Sequence, residues 1–293
     1  MTQFLQQLIN GLSLGSIYAL IALGYTMVYG IIKLINFAHG DVYMLGAYIG
    51  YACIKYFNLS FFPSLLIAMT ACALMGFAIE KIAYKPLRNA TRIAALITAI
   101  GVSLFLEYST MFVVKANVRT YPSVLNEISF KPLQGVIVNM KQVYIFAVTI
   151  ILMIILQYIV RKTRVGKSMR AVSTDRDAAL LMGINVDRTI SFTFAIGSAL
   201  AGAAGVLVGI YYNSINPLMG ILPGLKAFIA AVFGGIGIIP GALVGGITIG
   251  VIETMVSGYG NSLYKDAAAF AILIIILLIK PSGLLGKNTR EKV

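Results

Sequence analysis

Charge is the scarcest property of this 293-residue chain: 11% of its residues are Asp, Glu, Lys or Arg, where soluble domains carry about 25%. That scarcity excludes an ordinary soluble protein. With 59% hydrophobic residues and a mean hydropathy of +0.90, the chain reads as an integral membrane protein. Histidine occurs once, at His39, so no histidine-based metal site or relay can be assembled from sequence neighbours. The two cysteines, Cys53 and Cys72, lie inside apolar runs without ligand spacing or disulfide logic, and read as buried thiols. No Ser/His/Asp, Cys/His or paired-carboxylate constellation appears, which argues against an enzyme. No polar tract exceeds about 30 residues, too short for an independent soluble domain. One membrane domain over 1–293 is therefore expected. The N-terminus, MTQFLQQLINGLSLG, lacks a basic n-region and does not read as a cleaved signal peptide.

What is there is a series of apolar runs of crossing length, at about 8–32, 39–57, 62–82, 93–114, 142–160, 191–211, 240–257 and 265–281. A further apolar stretch at about 219–236 is interrupted by Pro223, Gly224, Gly234 and Gly235 and reads as a ninth, short crossing or a re-entrant segment. The expected fold is an all-α polytopic membrane protein with eight or nine transmembrane helices plus broken or re-entrant segments.

The net charge of +13 raises nucleic acid as a partner. The basic residues instead flank apolar runs and form no single aromatic-lined surface, so they report orientation. Lys81, Lys85, Arg88 and Arg92 mark one loop. Arg161, Lys162, Arg164, Lys167, Arg170, Arg176 and Arg188 mark a second, and Lys280, Lys287, Arg290 and Lys292 mark the tail. These fifteen of the 23 basic residues place the three segments in the cytoplasm. The connection at 115–141 carries Lys115, Arg119, Lys131 and Lys141 but is forced outside by parity between the two inner loops. An outer N-terminus and an inner C-terminus require an odd number of crossings, which favours nine.

Five G-x-x-x-G pairs (Gly11/Gly15, Gly46/Gly50, Gly205/Gly209, Gly241/Gly245 and Gly246/Gly250) predict close helix approach. Gly166-Lys167-Ser168 resembles the end of a phosphate-binding loop, but Arg161 stands where the first glycine belongs and no strand leads into it, so no ATP site is expected. Two polar or glycine-rich interruptions fit either a structural turn or a broken element beside a translocation path. They are Asn36 to Asp41, with His39 and Gly40, and Gly234 to Gly241, with Gly235, Gly237 and Pro240. Asp41 at a helix start would be favoured by the dipole. Glu107, Lys226 and Glu253 fall within or near apolar spans, where burial is costly. Both glutamates lie toward the outer ends, where interfacial or paired structural roles compete with functional ones.

The most telling segment is Arg161 to Asn185, a basic island between two apolar runs. Thr174 with Asp177 fits a capping box, and Gly183 fits a left-handed helix stop. Between them lie about eight residues, or roughly 12 Å of helix, too short to cross a bilayer. Positive-inside anchoring explains the basic residues but not the capped helix, whose Ala179 and Gly183 lie one turn apart and leave room for a partner's side chains.

INFAHGDVYMLGAYIG (35–50), GKSMRAVSTDRDAALLMGIN (166–185), SALAGAAGVLVGIYYNSINPLMG (198–220), KAFIAAVFGGIGIIPGALVGG (226–246) and KPSGLLG (280–286) together resemble the permease subunits of branched-chain amino-acid ABC importers, in order and over nearly the whole chain. Within that family the chain resembles the subunit carrying the NFAHG motif. The resemblance implies an inner-membrane heterodimer with a second homologous permease, two cytoplasmic ATPases that hydrolyse the ATP, and a periplasmic amino-acid-binding protein. No cofactor on this chain is implied. Asp177, Ala178, Ala179 and Gly183 match the Glu-Ala-Ala-x-x-x-Gly coupling loop of such importers, here within about 161–190, with Asp in place of Glu. It also makes 36–41 and 234–241 elements around the pathway. Urea or short-amide permeases of the same type, and an ion-coupled secondary transporter, are the competing readings.

Overall fold

The computed structural model describes residues 1–88, 90–125, 128–133 and 135–286. Lys287, Arg290 and Lys292, counted above in the basic tail, lie outside the described residues. Eleven α-helices are present among the described residues: α1 (Thr2–Ile32), α2 (His39–Phe57), α3 (Phe61–Ile79), α4 (Arg92–Val114), α5 (Met140–Lys162), α6 (Arg164–Thr174), α7 (Arg176–Leu181), α8 (Val186–Tyr212), α9 (Ile221–Gly234), α10 (Ile239–Tyr259) and α11 (Lys265–Ile279). A π-helical turn, Glu80–Tyr84, and a short 3₁₀ turn, Lys85–Leu87, prolong α3.

Seven helical segments are long and apolar enough to cross a membrane: those built on α1, α3, α4, α5, α8, α10 and α11. α2, of 19 residues, and the shorter α9 are two further helices packed among these spans, so the expected eight or nine crossings are roughly matched. The interrupted stretch near 219–236 resolves into α9, whose 14 residues give about 21 Å of helix. That falls short of the roughly 30 Å of a hydrocarbon core. The segment between α8 and α9 contains no helix, only the two-residue strand β4 (Ser214–Ile215) and turns.

α1 and α8 are the most buried of the spans, while α4, α5 and α11 turn apolar side chains outward. Glycine explains the close packing of the inner helices, since lipid supplies no hydrophobic force to hold them together. α2 and α8 run in the same direction, with Gly46 against Gly202 and Gly50 against Val206, and a Cβ on Gly46 would fall 2.5 Å from Gly202 Cα. α1 and α10 close in the same way, with Gly15 facing Gly246 and Ile247. The connection from α4 to α5, for which no element was expected, forms two small antiparallel ribbons. β1 (Arg119–Thr120) pairs with β4, and β2 (Ser129–Leu133) with β3 (Val136–Asn139). Tyr121 from this connection is buried against Gly50 and Gly209.

Candidate functional site

The basic segment folds as two helices set at one end of the bundle. Thr163 caps α6 by accepting from Gly166 N at 3.1 Å. A side chain at Gly166 would collide with the carbonyls of Ile159 and Val160, which gives the glycine of Gly166-Lys167-Ser168 a packing role at the α5–α6 corner. α6 buries Met169 and Val172 and exposes Arg164, Lys167 and Arg170.

α7 is shorter than expected and starts one residue later. Asp175, not Thr174, is its cap: the carboxylate accepts from Asp177 N and Ala178 N, both at 2.9 Å. Thr174 ends α6, with its hydroxyl donating to Arg170 O. The stop is as expected. Gly183 adopts φ +79°, Gly183 N donates to Leu180 O and Ile184 N to Ala179 O, each at 3.0 Å, the paired bonds of a Schellman ending.

The face offered by α7 differs from the bare Ala/Gly surface expected. Ala179 is buried against the rest of the chain, whereas Asp177, Ala178 and Gly183 are exposed. Leu180, Leu181 and Met182 carry most of the exposed apolar surface, with Leu181 89% and Met182 81% accessible. Apolar side chains held at the rim of a six-residue helix suit a partner's cleft better than water.

α7 is joined to the bundle through a charged cluster that sequence reasoning missed. Asn185 caps α8, accepting from Arg188 N at 2.9 Å. Asp187 then binds Lys85 at 2.9 Å and also pairs with Arg88. Arg88 in turn pairs with Glu80, which is fully buried and accepts from the Ser191 hydroxyl. The α3–α4 turn is thus clamped onto the first turns of α8. Lys85 and Arg88 looked like orientation signals only. The available clue was an acid, Glu80, at the end of an apolar span.

The 36–41 interruption lies inside the bundle. Asn36 accepts from the Tyr84 hydroxyl at 2.9 Å, and both are buried. His39 packs edge-on against Tyr25 at 4.7 Å between ring centroids. A Cβ on Gly24 would fall 2.5 Å from its Cε1. Asp41 accepts from the Ser103 hydroxyl at 2.5 Å, and Ser103 is the twelfth of 23 residues in α4. The polar cluster therefore sits at mid-helix depth rather than in a surface turn. Gly40 lies on Gly220 and Gly224, so the starts of α2 and α9 meet there.

Gly234, Gly235, Gly237, Pro240 and Gly241 form the opposite end of α9 and its corner with α10. Gly235 and Gly237 have φ of +105° and +92°, and Pro240 sits in the first turn of α10. The 280–286 tail folds back on this corner, with Leu284 N donating to Phe233 O at 2.8 Å. The two interruptions are therefore separated by the length of α9. A cavity of about 510 Å³ borders Lys33 and Ile35 at one side and Gly237 and Ile238 at the other. Glu253, expected near the outer water, is buried and ion-paired with Lys226.

Seven apolar helices of crossing length, with α2 and α9 packed among them and a capped amphipathic appendage at one end, make this a polytopic α-helical membrane permease. Residues 7–277 match the family described as "Branched-chain amino acid transport system / permease component", and the chain belongs to that family. It is 44% identical to the high-affinity branched-chain amino acid transport system permease protein BraD of Pseudomonas aeruginosa, over 99% of this chain and 98% of that one. The figures are the same for the protein LivH of Escherichia coli K12. Among solved structures, a chain of PsaBC from Streptococcus pneumoniae in complex with Fab is similar at a TM-score of 0.49 and 14% identity. It covers 95% of this chain and 92% of that one.

Proposed function

We propose that this chain is the membrane-spanning subunit of an ATP-driven importer for branched-chain or similarly apolar amino acids, working as one permease domain over 1–293. Its partners are a second homologous permease, two cytoplasmic ATPases and a periplasmic amino-acid-binding protein, all in and around the inner membrane. The N-terminus is periplasmic and the C-terminus cytoplasmic. The chain performs no catalytic step and holds no cofactor, because the ATP is hydrolysed by the partner ATPases.

The observation that carries this reading is α7. Its ends are fixed by Asp175 and Gly183, its Leu180–Met182 rim projects outward, and its C-terminal side runs directly into α8. Closure of the ATPase dimer around Asp177, Ala178 and the exposed rim displaces the first turns of α8. The Asp187–Arg88–Glu80 cluster carries that displacement to α3 and α4. Asn36, His39 and Gly40 are placed beside the path that opens, while Gly234, Gly235, Gly237, Pro240 and Gly241 form the corner about which α9 and α10 move together.

The test is co-purification and uptake with Leu181→Arg. Leu181 makes little contact within the chain, so the variant should insert and fold, lose the ATPases on purification and abolish leucine uptake. Retained ATPase with normal uptake would remove α7 from the docking role.

A further inference from the structure

Four carboxylates are buried among the described residues, and they divide into two kinds. Glu80 has Arg88, and Glu253 has Lys226. Asp41 and Glu107, only 2% and 5% exposed, have no cation. They lie side by side in a cavity of about 250 Å³ between α2, α4 and α9, with no Lys or Arg in its lining. Buried carboxylates of like charge repel and lack the solvation that would offset it.

Three further features of this cavity point to what it holds. Tyr25 is 4% exposed and lines it, and its hydroxyl, beside Gly224, has no hydrogen-bond partner among the described residues. The facing wall is apolar, formed by Ile100 and Leu104 of α4 and Ile221 and Leu225 of α9. The starts of α2 and α9 meet at Gly40 and Gly220, and neither has a side-chain cap. Preceding carbonyls take the His39, Asp41 and Ile221 amides, which leaves the Gly40 and Leu222 N–H groups and the positive ends of the two dipoles to favour an anion.

The three chemistries, a carboxylate pair, an apolar wall and two helix starts, match the three parts of an aliphatic amino acid. Building on the amino-acid permease reading, we infer that the α2–α4–α9 cavity is a transient subsite for the zwitterion in transit. Its ammonium is held between Asp41 and Glu107, its carboxylate faces the starts of α2 and α9, and its alkyl group lies on Leu104 and Ile221. Depth agrees with this. Ser103, which holds Asp41, is at the middle of α4, about 16 Å from either end. The cavity opens beside Ile100, Leu104 and Ile221, all of which are more than 40% accessible. Carboxylates at that depth cannot face hydrocarbon, so the open side looks onto the path between the two permease subunits.

The test uses the assembled importer in proteoliposomes, with saturating loaded binding protein, and compares labelled leucine with labelled valine. Asp41→Asn and Glu107→Gln should each lower leucine uptake by about tenfold, as expected for losing a charged hydrogen bond, while Glu107→Asp retains most of it. Leu104→Phe, at a half-exposed position that tolerates size, should shift the valine-to-leucine uptake ratio by about threefold toward valine. Parent-like leucine uptake in both charge variants overturns the subsite, and so does an unchanged ratio in Leu104→Phe. Where a charge variant fails to assemble, the Leu104→Phe ratio decides alone. If the parent importer takes up neither amino acid, the permease reading itself fails; if the parent is active and these variants match it, only the subsite fails.

Discussion

Lys226 of α9 and Glu253 of α10 form an ion pair of 2.8 Å inside the bundle, and Tyr18 of α1 donates to the second carboxylate oxygen at 2.8 Å. Asp266, at the start of α11, approaches the same ammonium at 2.5 Å. One lysine therefore balances two acids and ties three helices to α1. Removing a single member of a buried pair costs about 3–5 kcal/mol, chiefly by stranding the other charge. Lys226→Met strands Asp266 and leaves Glu253 with only the partly exposed Lys265 at 4.0 Å, whereas Glu253→Gln leaves Lys226 with Asp266. Thermal unfolding in detergent should show Lys226→Met as the more destabilised, and Lys226→Met combined with Glu253→Met should recover much of the loss. The opposite order of the two single variants would contradict the pairing.

Helix spacing yields a sharper contrast. Gly46→Ala places a methyl 2.5 Å from the backbone of Gly202, and neither atom belongs to a flexible side chain. α2 and α8 must separate, so the variant should unfold at a distinctly lower temperature. Gly101 lies on the outer face of α4, where a Cβ would have no neighbour within 4 Å. Gly101→Ala should be neutral or stabilising by up to about 1 kcal/mol through helix propensity. Equal effects at the two sites would show that the close approach is absent.

How far these features are legible from sequence follows from their range. The long helices fall within a few residues of the apolar runs, because hydropathy over some twenty residues is a property of the segment itself. Gly183 was legible for the same reason, since a helix stop is local. The Asp175 cap was not: Thr174 and Asp175 are adjacent and both able to cap, and the choice rests on α6 running through Thr174. Lys226–Glu253 depends on which helices become neighbours, and Glu80–Arg88 on the π and 3₁₀ turns that prolong α3. No single-sequence period encodes that, so charged residues at span ends looked interfacial. The same holds for Asp41, whose depth becomes visible only once Ser103 is found beside it.

The cap assignment has its own test. Asp175→Ala removes two hydrogen bonds from the start of α7, a loss of about 1 kcal/mol. Hydrogen exchange of the Asp177 and Ala178 amides should accelerate, and ATPase-coupled uptake should fall without loss of membrane insertion. Thr174→Ala should leave both amides protected. Faster exchange in Thr174→Ala instead would return the cap to the earlier residue.

The charged clamp behind α7 separates stability from transmission. Lys85 and Asp187 are each nearly half exposed, and exposed pairs contribute about 0–1 kcal/mol, so Lys85→Met should barely move the unfolding temperature. Arg88 is 6% exposed and Glu80 is fully buried. Arg88→Met leaves Glu80 with only the Ser191 hydroxyl, a stranded charge that should lower stability markedly. Glu80→Met combined with Arg88→Met removes the stranded charge but also the buried link from α8 to α3, leaving only the half-exposed Lys85–Asp187 pair. If the clamp carries motion, this double variant should regain much of the stability yet hydrolyse ATP with little uptake. Uptake restored in step with stability would reduce the cluster to a structural contact, and α8 alone would then have to move the membrane helices.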